Sequence, residues 1–300
     1  MPVSRYRYRI AAALAATALA VVAACHTDTT APAPQNPALT AAQAQALGEA
    51  MTADAQSELE GLTLSGGGSG LPGMATAAAG VFGADPATCS PTISPQPVAN
   101  SDGDRVPDSV QISFPGCGFA EGDEADTIRG MIDVVDPTPT VTDRALRTRF
   151  TDFTRIEVEN GRKRSIVLNG TREALRDATV ISQSETHFQT LYTFPDGHTA
   201  SSDRNWNVTF TADVPGSIQD DQPLPSGTLS IAGTATWTRD ANTFSVTAST
   251  DPVLHYNASC AVRPKFDSGT LHLTVTRNGA TSTVTIQFTA CGQYTVTRTP

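Results

Sequence analysis

The best candidate for a metal site in this 300-residue sequence is the run 100–111, Asn-Ser-Asp-Gly-Asp-Arg-Val-Pro-Asp-Ser-Val-Gln. Calcium prefers oxygen ligands, and a calcium loop supplies them from alternating positions. In this run those positions are held by Asn100, Asp102, Asp104, the carbonyl of Val106, Asp108 and Gln111. The spacing predicts a calcium site. The alternative is a polar turn before a strand, with aspartates that accept hydrogen bonds from backbone N–H groups.

Residues 102–108 of this run have the form Asp-Gly-Asp-x-x-Pro-Asp, which resembles the calcium loops of thrombospondin type 3 and related bacterial repeats. The resemblance implies calcium as a cofactor. Two residues depart from it, because Arg105 stands where a turn glycine is expected and the neutral Gln111 replaces a bidentate acid. The acidic residues of 121–126 could add oxygen ligands if the two loops meet.

Basic residues are concentrated between positions 144 and 176. They are Arg144, Arg147, Arg149, Arg155, Arg162, Lys163, Arg164, Arg172 and Arg176. A sheet face that carries guanidinium groups could bind an anionic glycan, a lipid headgroup or an acidic protein, with Arg147, Arg149 and Arg164 as candidate residues. Aspartates and glutamates are interleaved with these residues, so the alternative is a surface that neutralises itself.

The sequence has no recognisable catalytic motif. It contains neither Gly-x-Ser-x-Gly nor His-Glu-x-x-His, and no Ser-x-x-Lys in a suitable setting. The histidines at positions 187, 198, 255 and 272 are scattered. We therefore predict a protein that is not an enzyme, while a Ser/His/Asp triad assembled from distant strands stays open.

The first 25 residues predict export and lipid attachment. Three arginines precede the apolar run 10–24, which ends in small residues before Cys25, and this layout resembles the lipobox of a bacterial lipoprotein. Removal of a signal peptide, residues 1–24, would leave 276 of the 300 residues. It would also remove three arginines, so the net charge would fall from −10 to −13. Lipid on Cys25 would anchor the chain to a membrane, and His26 favours the outer membrane by resemblance to enterobacterial sorting. Nucleic acid is not an expected partner of so acidic a chain.

Four further cysteines form two close pairs in the sequence, Cys89 with Cys117 and Cys260 with Cys291. In an oxidising compartment, disulfides within each pair are the most economical of the three connectivities that four cysteines allow. Each would contribute roughly 3.5 kcal/mol in the chain-entropy model. A zinc site is not expected, because Cys-x-x-Cys spacing is absent from the sequence.

The composition predicts three segments between the anchor and the rest of the chain. Residues 25–39 are polar and proline-rich, as expected for a tether. Thr40 and Gln43 can form a capping box, and residues 40–60 have the periodicity of an amphipathic helix. This helix could bind a membrane surface or a partner, or it could pack on its own domain; its lack of basic residues disfavours anionic lipid. Residues 61–87, rich in Gly, Ala and Ser, are expected to be a flexible linker.

Residues 88–300 show the alternation of apolar and polar residues that is typical of strands. Leu229, Ile231 and Trp237 alternate with Thr and Ser, which places one side of the strand in a core and the other in water. Such one-sided strands belong to antiparallel sheets. The predicted fold class is all-β, a large antiparallel meander in the form of a curved sheet, a sandwich or a partial barrel, preceded by one N-terminal helix.

The pattern V-x-I-x-F-x-x-C-G occurs twice, at 110–118 and at 284–292. Together with the lipobox, the Thr-rich hairpins and the last cysteine pair, the layout resembles a group of uncharacterised all-β lipoproteins of Gram-negative bacteria. The resemblance implies the fold and brings no activity with it.

Three classes of function are compatible with the sequence. A non-enzymatic, lipid-anchored binding or structural module of the cell envelope is preferred, because the sequence offers an anchor and a fold without a catalytic constellation. The alternatives are a periplasmic carrier of lipid or another apolar ligand, which needs a cavity, and an envelope hydrolase with an unrecognised site. The identity of the partner, whether protein, glycan or lipid, is left open.

Overall fold

The structure, a computed structural model, describes residues 38–64, 91–104, 106–121, 124–159, 162–219 and 222–300. Its elements in chain order are α1 (Ala41–Leu64), β1 (Thr92–Ser94), β2 (Ser109–Glu121), β3 (Glu124–Val135), β4 (Ala145–Glu159), β5 (Arg162–Arg176), β6 (Val180–Thr193), β7 (Thr199–Ala212), β8 (Gly227–Arg239), β9 (Asn242–Thr250), β10 (Leu254–Tyr256), β11 (Phe266–Arg277), β12 (Ala280–Ala290) and β13 (Gln293–Thr299).

The thirteen strands form one antiparallel sheet in which almost every strand pairs with its neighbour in the sequence. The exception is at β9 and β10, which lie one after the other between β8 and β11. The interruption between them includes Pro252, which has no backbone N–H to donate to a neighbouring strand. The prediction of an all-β antiparallel meander preceded by one helix is confirmed.

The strand register gives the sheet an apolar inner face and a polar outer face. Val208 pairs with Ile231 and Trp237 pairs with Phe244, and all four side chains are buried. Thr236, beside Trp237 in the sequence, is exposed. The alternation that predicts the strands is therefore the alternation between these two faces.

Helix α1 packs against the inner face and is surrounded by the sheet. It contacts β6, β8, β12 and β13, which are far apart in the order of strands, so the sheet must curl around the helix. The side chains of Leu47, Met51, Leu59 and Leu62 are no more than 2% exposed. This helix, the one helix in the described part of the chain, lacks the apolar length that a membrane span needs.

The helix begins as predicted but differs from the predicted amphipathic helix in length and surroundings. The capping box is formed, since the Thr40 N–H donates to Gln43 Oε1 at 2.9 Å and the Gln43 N–H donates to Thr40 Oγ1 at 3.2 Å. The helix continues to Leu64, four residues beyond the predicted end, and residues 54–62 are all buried. Of the alternatives that the sequence leaves open, packing of the helix on its own domain is the one that the structure shows, and the acidic residues Asp54, Glu58 and Glu60 are buried. The rest of the predicted linker lies outside the described residues.

The C-terminal disulfide is confirmed between Cys260 and Cys291, whose Cα atoms are 5.6 Å apart. It joins the segment before β11 to the turn between β12 and β13. Cys25, Cys89 and the side chain of Cys117 lie outside the described residues, so the first pair and the lipidation site stay predictions.

Candidate functional site

Two of the predicted calcium ligands, Asp102 and Asp104, lie beside a third carboxylate, that of Asp136. Oxygen atoms of the three side chains lie within 4.8 Å of one another. Asp102 and Asp104 belong to the loop before β2, and Asp136 follows β3. The hairpin of β2 and β3 pairs Ser109 with Val135, which brings Asp136 next to the loop.

Backbone N–H groups hold this acidic loop in place. Asp102 Oδ1 accepts a hydrogen bond from the Asp104 N–H at 3.1 Å, and Asp104 Oδ1 accepts one from the Val106 N–H at 2.7 Å. Asn100 Oδ1 accepts from the Gly103 N–H at 2.7 Å. Burial raises the pKa of Asp104, and the carboxylates of Asp102 and Asp136 raise it further. The loop therefore has the hydrogen bonds of a polar turn together with a concentration of negative charge.

Two of the remaining predicted ligands, Asp108 and Gln111, form hydrogen bonds outside this cluster. Asp108 accepts hydrogen bonds from the backbone N–H and the hydroxyl of Ser101. The Gln111 amide on β2 donates to Asp133 Oδ1 at 2.9 Å. These two side chains are therefore held by other partners, Asp108 by Ser101 and Gln111 by Asp133 on the neighbouring strand. Asp136 could be predicted only from the register of the β2–β3 hairpin, which places the residue after Val135 beside the loop before Ser109.

The three arginines predicted to form an anion-binding face are divided between the two faces of the sheet. Arg147 and Arg149 are exposed on the outer face, where Arg147 forms an ion pair with Glu173 at 2.7 Å. Arg164 on β5 lies opposite Glu157 of β4, with which it forms an ion pair on the inner face. Alternate residues of a strand face opposite sides, so Arg147 and Arg149 lie on the side opposite to the buried Leu146 and Phe150, whereas Arg164 lies on the same side as Leu168.

A fully buried network of charges, which the sequence analysis missed, joins α1 to the inner face of the sheet. At its centre is Arg204 of β7, whose side chain has no exposed surface. Its guanidinium donates to Asp54 Oδ1 and to Glu58 Oε1, each at 2.6 Å, and to Glu185 Oε1 at 2.5 Å. The Thr190 hydroxyl donates to Asp54 Oδ1 at 3.2 Å. The helix is thus fixed to β6 and β7 by charged hydrogen bonds.

Arg172 of β5 is the second buried cation of this network. It donates to Glu58 Oε1 at 2.5 Å and to Glu185 Oε2 at 3.2 Å. Its guanidinium carbon lies 4.2 Å from the ring centroid of Phe188. The Gln183 amide completes the surroundings of Glu58 with a hydrogen bond to Oε2 at 2.6 Å.

The network holds three carboxyl groups and two guanidinium groups, so its full ionisation would leave one uncompensated negative charge. Burial raises the pKa of Glu185 to about 8, although Arg204 opposes the shift. Burial also raises the pKa of Asp54. The raised pKa keeps Glu185 protonated near neutral pH, and this proton brings the network as a whole close to neutral.

A cleft of about 1000 Å³ lies between α1 and the β4–β5 hairpin, and it extends to the β6–β7 and β12–β13 turns. Its apolar lining includes Ile166 and Tyr294, which are partly exposed, and Phe153, Leu168, Tyr192 and Phe194, which are buried behind them. Its basic residues are Arg155, Arg162, Arg164, Arg239 and Arg263. Among the acidic residues of the lining, Glu60 pairs with Arg155 and Arg263, and Glu157 pairs with Arg155 and Arg164.

His255 of β10 lies between two aspartates from neighbouring segments. Its Nε2 is 3.0 Å from Asp213 Oδ2 and its Nδ1 is 2.7 Å from Asp267 Oδ1. The hydrogen bond with Asp213 raises the pKa of His255, and Asp267 adds to the effect against partial burial. The imidazolium form therefore bridges β10, β11 and the segment after β7.

We expect this bridge to make stability depend on pH. Because the pKa of His255 is higher in the folded protein than the ordinary value of about 6.5, the bridge stabilises fully below that value and is lost as the pH rises through the raised pKa. The free energy of unfolding of the wild type should exceed that of His255→Gln by more at about pH 6 than at about pH 8.5. Urea unfolding at both pH values measures the difference. His187→Gln is the control, because the side chain of His187 is 74% exposed and solvent screens its contact with Asp203. Equal differences at the two pH values for His255→Gln would contradict the prediction.

Comparison of the sequence with models of known protein families, with curated proteins and with solved structures found no match.

Proposed function

We propose that this protein is a non-enzymatic, lipid-anchored binding module of the cell envelope, with a ligand that occupies the cleft beside α1. The observation that carries the proposal is the cleft of about 1000 Å³, in which an apolar, aromatic wall adjoins several guanidinium groups. Small-molecule sites commonly have volumes of about 300–1000 Å³ and combine apolar walls with a few polar groups. The chemistry fits an amphipathic anion, whose apolar part would lie against Ile166 and Tyr294 and whose head group would lie near Arg162 and Arg164.

A carrier of lipid or another apolar ligand is the second candidate, and the apolar wall of the same cleft favours it. Most of the inner face of the sheet is occupied by α1 and its buried charges, so an acyl chain would have to fit within the cleft. A carrier transfers its ligand to a membrane, whereas a binding module keeps its ligand bound. Transfer of a bound fluorescent fatty acid to phospholipid vesicles on the timescale of mixing would favour the carrier.

The proposed anchor is lipid on Cys25, and the proposed location is the outer membrane. The described chain begins beside the last strands of the sheet, where the Ala38 N–H donates to Ser282 Oγ at 3.1 Å and Arg298 donates to the Leu39 carbonyl at 2.5 Å. The fourteen residue steps from Cys25 to Leu39 can span at most about 50 Å. One wall of the cleft, α1, would thus begin within that distance of the membrane surface.

Titration with 8-anilinonaphthalene-1-sulfonate, an amphipathic anion, tests the cleft. We expect a saturable rise in dye fluorescence with residues 26–300, reversed by laurate. Arg162→Glu should weaken dye binding by about tenfold, because it replaces an attractive charge at the cleft by a repulsive one.

Arg147→Glu is the matched control, because it makes the same charge reversal on the outer face of the same hairpin region. It should leave the dye affinity unchanged, and near-UV circular dichroism checks that both variants are folded. Failure of the wild type to bind the dye saturably, or an equal loss in the two variants, would reject the cleft as the binding site.

A further inference from the structure

The carboxylate cluster beside β2 is far more buried than an acidic surface loop. Asp104 is 4% exposed and Asp136 is 2% exposed, although oxygen atoms of both lie within 4.8 Å of Asp102. Three carboxylates at this separation repel one another, and burial strengthens the repulsion because less water screens it. Such an arrangement requires a compensating positive charge.

Two oxygen atoms of the cluster have no donor within the described residues. Asp136 Oδ2 and Asp102 Oδ2 are both buried and accept no hydrogen bond from any residue that the structure describes. Their partner oxygens are occupied, because Asp136 Oδ1 accepts from the Thr138 N–H at 2.7 Å and Asp102 Oδ1 accepts from the Asp104 N–H. A buried carboxylate oxygen without a partner is costly, so the orphaned pair indicates a ligand.

We infer that Asp102, Asp104 and Asp136 bind one calcium ion, with Asp136 as the ligand contributed from outside the loop. The side chains offer only oxygen atoms, which hard divalent cations prefer over softer metals. The backbone hydrogen bonds to Asp102 and Asp136 orient each carboxylate and leave the second oxygen for the ion, as hydrogen bonds around a metal site do. Calcium accepts irregular geometry from a loop, whereas magnesium demands a near-ideal octahedron.

The ion would lie between two separate segments of the chain. The Arg144 N–H donates to Asp104 Oδ2 at 3.1 Å, and the Asp136 N–H lies 3.2 Å from the Pro107 carbonyl, so the cluster already joins the loop before β2 to the connection between β3 and β4. A bound ion would tie these two segments together. This site is independent of the cleft beside α1.

Calcium titration of EDTA-treated residues 26–300 tests the site by calorimetry and by thermal unfolding. We expect binding of one ion per chain and a rise of several degrees in the unfolding temperature. Asp136→Asn should weaken calcium binding by at least about tenfold, because it removes one of three ligand charges. In metal-free buffer the same variant should be no less stable than the wild type, because it relieves repulsion.

Asp133→Asn is the matched control, because Asp133 lies on β3 three residues earlier and its carboxylate contacts Gln111 instead of the cluster. It should bind calcium as the wild type does. An absence of heat and of any thermal shift in the wild type, or an equal loss of affinity in Asp133→Asn, would overturn the site. A response to magnesium equal to that to calcium would overturn the assignment of the ion.

Discussion

We expect Arg204→Met to destabilise the fold by about 3–5 kcal/mol, the range for removal of one partner from a buried ion pair. The guanidinium of Arg204 contacts carboxylates from α1 and from β6 with no exposed surface on any of these side chains. Methionine fills much of the same space and supplies no charge, so the variant leaves Asp54, Glu58 and Glu185 with Arg172 as the remaining buried cation of the network. A domain stable by about 5–15 kcal/mol would lose a large part of its stability.

Urea unfolding monitored by Trp fluorescence measures this loss, since both tryptophans are buried. Arg147→Met is the matched control, because Arg147 forms an exposed ion pair with Glu173 and should cost no more than about 1 kcal/mol. Addition of Asp54→Asn to Arg204→Met should recover part of the loss, because it removes the buried carboxylate whose ion pair in the network is with Arg204. Similar destabilisation by the two arginine replacements would mean that the network is not a strong determinant of stability.

We also expect a chain that begins at Thr88, where the predicted β-domain starts, not to fold. Its missing part includes α1, and five large apolar side chains of that part, those of Leu39, Leu47, Met51, Leu59 and Leu62, are at most 2% exposed. Burial of each contributes about 2 kcal/mol, or about 10 kcal/mol together, which equals the whole stability of a typical domain. The truncation would also leave Arg172 and Arg204 without Asp54 and Glu58.

A chain that begins at Asn36, the start of the unit that contains α1 and the sheet, is the control for this truncation. It should unfold cooperatively in urea and show a near-UV circular dichroism signal, whereas the chain from Thr88 should do neither. Cooperative unfolding of the shorter chain at a similar urea concentration would contradict the conclusion that α1 is part of the core.

The position of α1 connects the proposed anchor to the folded core. The predicted tether leads into Leu39 and then into the buried helix, with hydrogen bonds to β12 and β13 at the point where the described chain begins. A force on the tether would therefore be transmitted to α1, which packs on the inner face of the sheet.

Strand alternation was sufficient to predict the class of the sheet, because it is a local property of the sequence. The same alternation also predicts which charged residues of the strands face the core. Arg204 has the same strand parity as Trp206 and Val208, and the register pairs Glu185 with Trp206. Parity thus places both charges on the core side, even though a charged residue taken alone is expected in water.

The acidic loop shows what local spacing can and cannot predict. Local spacing predicts Asp102 and Asp104 as ligands, because they are close in the sequence and alternate like calcium ligands. It does not predict Asp136, because the place of Asp136 in the cluster follows from the pairing of β2 with β3 across a hairpin. Asp108 and Gln111 have suitable spacing, but hydrogen bonds to Ser101 and Asp133 hold them elsewhere.

The sequence by itself determined the antiparallel meander, the capped helix before it and the local pairing of Cys260 with Cys291, since these depend on residues close together in the chain. The tertiary structure decided that the helix is enclosed by the sheet and that Asp54 meets Arg204, 150 residues further along the chain. The curvature of the sheet brings such distant residues together, because strands far apart in the strand order pack against the same helix. The local pattern thus does not show that the charged residues Asp54 and Glu58 of α1 are buried, because their partners lie on distant strands.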